Sequence, residues 1–103
     1  MRTGCILMLV FIPGLLFADS AAIERAQKLY RHTDYQAAIQ VLSVEEDKSS
    51  ATIELLGQCY FMSGDYKRAT EYLEKAAAAE PSNSLYQTWL GRVYGRRAET
   101  RTR

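Results

Sequence analysis

The side chains best equipped for chemistry are few. His32 is the single histidine, so a zinc ion would find no second imidazole here. Its place near the end of a helical stretch suits a cation capping that helix, or plain exposure. Glu45-Glu46-Asp47 could attract a hard cation, but three consecutive acids cannot converge on one ion, and the run reads as a solvated loop. The two cysteines, Cys5 and Cys59, form no C-x-x-C, which excludes a thiol redox pair and a zinc ribbon. Cys59, beside Tyr60, reads as a buried structural thiol. No serine lies in a G-x-S-x-G elbow, and the six glycines are scattered rather than gathered into a phosphate loop. The chain therefore reads as a non-enzyme with no metal, haem or other cofactor. What remains is surface: Arg92 and Arg96, four apart, stack on one helical face and could grip a carboxylate.

Charge is distributed unevenly along the 103 residues. The net charge of +1 gives no case for nucleic-acid binding, which needs a clear basic excess. Residues 19–91 carry seven basic and eleven acidic side chains, whereas residues 92–103 carry five arginines and only Glu99. Residues 1–18 hold a single charge, Arg2, followed by the apolar run Cys5–Phe17 and then Ala18. A short basic start, an apolar stretch of 7–15 residues and a small residue describe a secretory signal peptide, cut after Ala18 or after Ser20. The run is too short to span a bilayer, which takes ~20 apolar residues, and Pro13-Gly14 interrupts it. Cys5 stands at the start of the run rather than after it, which argues against lipidation. The expectation is an exported protein, periplasmic or extracellular, with no stable membrane span after cleavage. Cys59 would then be the only thiol left, so no internal disulfide could form.

The elements that would position these side chains are helices. Apolar residues recur at helical spacing in five segments. These are Ala22, Ala26, Leu29 and Tyr30 (about 21–32); Tyr35, Ala38, Ile39 and Leu42 (about 35–43); Ile53, Leu56, Gly57, Tyr60 and Phe61 (about 50–62); Ala69, Leu73, Ala76 and Ala77 (about 66–79); and Leu85, Trp89, Leu90, Val93 and Tyr94 (84 to about 97). Ser20, Ser50 and Ser84 stand where an N-terminal cap is wanted, as do Asp34 and Asp65. Gly64 can end the third helix in the left-handed conformation, and Pro81 cannot continue the fourth. Connections this short make neighbouring helices antiparallel.

The segments also repeat. Leu56, Gly57 and Tyr60 recur with the same mutual spacing as Leu90, Gly91 and Tyr94. Asp34-Tyr35, Ala38 and Leu42 recur, at a slightly shorter offset, as Asp65-Tyr66, Ala69 and Leu73. Residues 50–83 read Ile53-x2-Leu56-Gly57-x2-Tyr60, then Ala69-x3-Leu73, then Ala76 and Pro81. This resembles the tetratricopeptide repeat, W-x2-L-G-x2-Y, A-x3-F and P over about 34 residues. Ile53 stands for the tryptophan and Leu73 for the phenylalanine. The small Gly57 and Ala69 would let two helices approach, with Tyr60 and Leu73 filling the space beside the crossing. Ala76 would seat the fourth helix on the fifth. Tyr30, Tyr60 and Tyr94 would fill corresponding places in the core, and Tyr35 and Tyr66 would sit between units.

The resemblance implies an all-α fold of antiparallel helix–turn–helix repeats stacked as a short right-handed solenoid. It would comprise a degenerate first repeat (20–49), a full repeat (50–83) and the first helix of an incomplete one (84–97), followed by a basic tail (98–103). In the last unit Trp89 lies two places beyond the expected aromatic position, which is Gln87. The resemblance further implies a non-catalytic scaffold that holds a peptide or partner helix in a concave groove lined by the first helices. Carried over, it places Glu54, Gln58, Phe61 and Met62 toward the groove from the third helix, and Thr88, Arg92 and Arg96 from the fifth. Three readings stay open: an independent protein-binding module; a truncated or oligomerising piece of a longer array that self-associates through its unfinished last unit; or, least favoured by the residues, an enzyme or an envelope-surface binder using the basic tail.

Overall fold

The computed structural model describes residues 21–102. The expected signal peptide, the cleavage alternatives after Ala18 and Ser20, and Arg103 lie outside the described residues. Those residues form five helices and no strand: α1 (described over 21–31), α2 (Tyr35–Ser43), α3 (Ser50–Met62), α4 (Tyr66–Ala79) and α5 (Ser84–Thr102). Consecutive helices pack on one another, and α3 touches α2, α4 and α5.

Each boundary has a local cause. Asp34 Oδ1 accepts the Ala37 amide at 3.3 Å, and Asp65 Oδ1 accepts the Arg68 amide at 3.1 Å, so both aspartates cap as expected. The serine caps shift by one position. Ser49, not Ser50, accepts the Thr52 amide at 3.2 Å. At α5 it is Asn83, not Ser84, whose side-chain oxygen accepts the Leu85 and Tyr86 amides at 3.1 and 3.3 Å. The displaced Ser50 instead donates to the Glu80 carboxylate, tying the start of α3 to the end of α4 and holding the Glu80 pKa below its ordinary value. The helix α5 runs through Thr102, so what the charge pattern suggests is a basic tail is helix. No glycine or proline follows Gly95 to stop it. Arg101 in its last turn suits the negative end of the helix dipole.

The first and third turns are built alike. Thr33 N–H donates to Tyr30 O and Asp34 N–H to Leu29 O; Gly64 N–H donates to Phe61 O and Asp65 N–H to Tyr60 O. Gly64 has φ of 90° and Thr33 has φ of 61°, so both turns reverse through a left-handed residue. Structural equivalence through this region therefore follows the offset that carries Asp34 onto Asp65. The counterpart of Tyr30 is Phe61, and that of Tyr60 is Leu29, which corrects the expected alignment of Tyr30 with Tyr60. The ring pairs obey the same shift: Tyr30 meets Tyr35, and Phe61 meets Tyr66, each with centroids 5.4 Å apart.

The core follows from small residues opposite large ones. A Cβ placed on Gly57 would lie 2.6 Å from the Leu73 side chain, so only glycine lets α4 approach α3 this closely at that point. Ala26 and Leu42 are the corresponding pair in α1 and α2, both fully buried. Ala69, Leu73 and Val93 form a second cluster with Tyr60, Phe61, Tyr66, Trp89 and Leu90 against it. Ala76 seats α4 on Tyr86 and Leu90 of α5, as expected. Cys59 is buried in the first cluster, and burial pushes its thiol up to about 12, which favours the protonated form. Tyr94 departs from its expected core role: it is 46% exposed and its hydroxyl donates to Glu74. Nothing beyond α5 covers it among the described residues. Gly91 likewise meets no atom where its Cβ would be.

Candidate functional site

A concavity of about 470 Å³ opens between α1, α3 and α5. Ile23, Gln27, Tyr30 and Arg31 line it from α1, Ala51, Glu54, Leu55 and Gln58 from α3, and Leu85, Tyr86 and Trp89 from α5. These are the alternate helices of the chain. They share one face because α2 and α4 are each held by a short turn behind their predecessor.

The expected groove residues divide into three groups. Glu54 and Gln58 line this cavity. Phe61, Arg92 and Arg96 instead line a second, smaller hollow of about 290 Å³ with Gly95 and Glu99. Met62 and Thr88 are exposed but line neither. Met62 closes α3, one turn beyond Gln58, where the helix has carried it past the cavity. The Thr88 hydroxyl is spent on the Ser84 carbonyl at 2.8 Å.

The two arginines are already engaged within the chain. The Arg92 guanidinium sits over the Trp89 ring, 4.8 Å from its centroid, and Arg96 meets Glu99 at 3.8 Å. Trp89 is half-buried and also stands edge-on to Phe61 at 5.5 Å. It thus separates the two hollows. Its place at the cavity could be read from the helical face it shares with Leu85 and Tyr86. The motif register, which expects the aromatic at Gln87, pointed elsewhere.

Glu54 is the unusual member. It is only 3% exposed, and neither carboxylate oxygen is seated in a hydrogen bond of normal geometry. Burial pushes its pKa up to about 7, and the amide of Gln58, one turn along, pulls the other way and is outweighed. Its counterpart in the first hairpin is Ile23, which lines the same cavity.

Residues 52–83, which hold most of α3 and all of α4, match the family model described as tetratricopeptide repeat. The chain carries a tetratricopeptide repeat. The repeat implies protein partners, and proteins built from it are generally non-catalytic scaffolds. The chain is also similar to intraflagellar transport protein 70A of Danio rerio, 28% identical over 88 residues. That match takes in 82% of this chain but only 14% of the relative's length. No solved structure matches the chain. Among the described residues, no helix is long and apolar enough to cross a membrane.

Proposed function

We propose that this tetratricopeptide chain is an exported interaction module that binds a peptide or partner helix in the cavity between α1, α3 and α5. The observation that carries the reading is the lining of that cavity: α1 and α5 contribute Tyr30, Tyr86 and Trp89 around the polar Glu54 and Gln58 of α3, which is how ligand clefts are built. The binding residues are therefore Glu54, Gln58, Tyr30, Leu85, Tyr86 and Trp89. Phe61, Arg92 and Arg96 serve a flanking contact. A photo-crosslinking side chain at Gln58 is expected to capture a partner that the same side chain at Glu71, exposed on α4, does not. Equal capture at both positions would remove the cavity as the binding face.

Export rests on residues 1–18, with their single charge and apolar run. The relative's name points to a different setting, inside the flagellum. The intact mass of the protein from its host separates the two. A mass matching residues 19–103 or 21–103 means export, and a retained Met1 or Arg2 end means the leader is not removed.

A second reading is favoured by the face of α5 turned away from the cavity, where Tyr94 is 46% exposed and Gly91, one turn before it, meets no atom where its Cβ would be. This face suits self-association or a further unit of a longer array. Size that rises with concentration, and falls when Tyr94 is replaced by Ser, would support that reading.

A further inference from the structure

We propose that the cavity between α1, α3 and α5 takes an arginine side chain of the bound protein segment, seated on the Glu54 carboxylate. This rests on the groove reading above and states what the occupant must carry. Glu54 lines the cavity, is nine-tenths or more shielded from water, and neither of its oxygens has a hydrogen bond of normal geometry in the chain, the Gln58 amide one turn along being the nearest donor it feels. A buried carboxylate left in that state is costly and must be answered by a donor or replaced. The fold does not need an acid there. Ile23 holds the equivalent place on α1 and lines the same cavity, so an apolar side chain fits this register. An acid kept where the fold accepts isoleucine points to a ligand that supplies the missing donors.

The surroundings select among donors. From α1 the facing groups are Gln27, Tyr30 and Arg31; from α3, Gln58; from α5, Tyr86 and Trp89. Arg31 is exposed and makes no ion pair with Glu54. Two oxygens on one carboxylate, with only the Gln58 amide near them, match the two parallel N–H groups of a guanidinium once the cavity-lining side chains part to admit it. The flat rings of Tyr30, Tyr86 and Trp89 offer surfaces on which that planar group stacks, and it sheds water more easily than an ammonium does. Trp89 already takes one guanidinium, that of Arg92. An acidic segment, by contrast, would bring a second carboxylate to an unpaired one.

Trp89 is the single tryptophan and lines this cavity, so its fluorescence responds to an occupant there, and the Glu54→Gln comparison separates that response from one at the neighbouring hollow. The test is a displayed library of random twelve-residue peptides selected on the full chain. Enriched peptides are then synthesised with each arginine replaced by citrulline, its neutral isostere, and titrated against wild type and Glu54→Gln. The expected result is enriched peptides with one arginine whose replacement weakens the Trp89 response at least about tenfold in wild type and not in Glu54→Gln. Enriched peptides that shift Trp89 but tolerate citrulline at every arginine would overturn the arginine assignment and leave the groove reading standing. No peptide able to shift Trp89 would overturn both. Concentration-dependent dimerisation lost in Glu54→Gln, with no peptide bound, would give the seat to the α5 arginines of a second copy and overturn the partner assignment. Glu54→Leu, read by helical melting, confirms that the substituted position still folds.

Discussion

The hairpin α1–α2 and the hairpin α3–α4 share one backbone plan and solve it with different residues. Both reverse through a left-handed residue, with the same two amide-to-carbonyl bonds, and both cap the second helix with aspartate. Yet the left-handed residue is Thr33 in one and Gly64 in the other. The small residue at the crossing is Ala26 in one and Gly57 in the other, and the groove position is Ile23 or Glu54. Where the residues match, as at Asp34 and Asp65 or Ala38 and Ala69, the fold leaves no choice. Where they differ, one hairpin shows what the other could tolerate.

The crossing should break the comparison most sharply. Gly57→Val places three carbons where even a single added Cβ would lie 2.6 Å from fully buried Leu73. We expect a loss of about 3 kcal/mol or more and no cooperative melt by circular dichroism. Ala26→Val, at a site that already holds a Cβ, should cost about 1–2 kcal/mol and keep the transition. Ala69→Asp, at a fully buried site, is expected to unfold the chain as completely as Gly57→Val. A cooperative melt in either α3–α4 variant would deny the close approach described there.

Glu54→Ile copies the first hairpin onto the second. The folded pKa of Glu54, about 7, lies above the ordinary carboxylate value of 4.5 that the unfolded chain keeps. The folded state therefore holds the proton more tightly. Stability from this group is complete below about pH 4.5 and is lost as pH rises through about 7. The loss is of order 2 kcal/mol after allowance for water reaching the groove. Glu54→Ile should abolish that slope and melt higher at pH 8 than wild type, and parallel pH profiles for the two proteins would refute it.

The turns give a smaller effect. A β-branched residue in the left-handed region costs about 1–2 kcal/mol, so Thr33→Gly should stabilise by about 1 kcal/mol. Gly64→Ala should lose a similar amount for the same reason. The smallest difference lies beside the caps. Arg68 reaches back to Asp65 at 3.0 Å, but its side chain is 64% exposed, and Arg68→Ala should change stability by less than about 0.5 kcal/mol. Chemical denaturation in low and high salt would measure it.

The bounds of α2, α3 and α4 agree with the helical spacing; aspartates mark the starts of α2 and α4 and Gly64 and Pro81 the ends of α3 and α4, whereas the cap of α3 is Ser49, one residue before the serine expected. The far end of α5 does not, since only charge changes near Arg97 and charge alone does not stop a helix. The groove was half legible. Helical spacing puts Glu54 and Gln58 on the right face, but the same spacing carried on to Phe61 and Met62 turns away from the cavity. Alignment by tyrosines hid the equivalence of Tyr30 with Phe61, which the turn hydrogen bonds make plain. Sequence spacing also could not show that Glu54 would be enclosed with no well-formed hydrogen bond, because that depends on what α1 and α5 bring to it.

In both hairpins the small residue meets a leucine sixteen positions later, Ala26 with Leu42 and Gly57 with Leu73. Gly91 has the same credentials and an open space where that leucine would sit. It works as an unfilled socket for chain extension. A graft that replaces the chain from Arg97 onward with the turn and α4 sequence, timed to deliver a leucine sixteen positions after Gly91, would lengthen the array by one unit and give up only the local Arg96–Glu99 and Thr100–Arg97 contacts at the end of α5. The same chain could thus serve as a modular starting block whose reach is set by how many such hairpins are added.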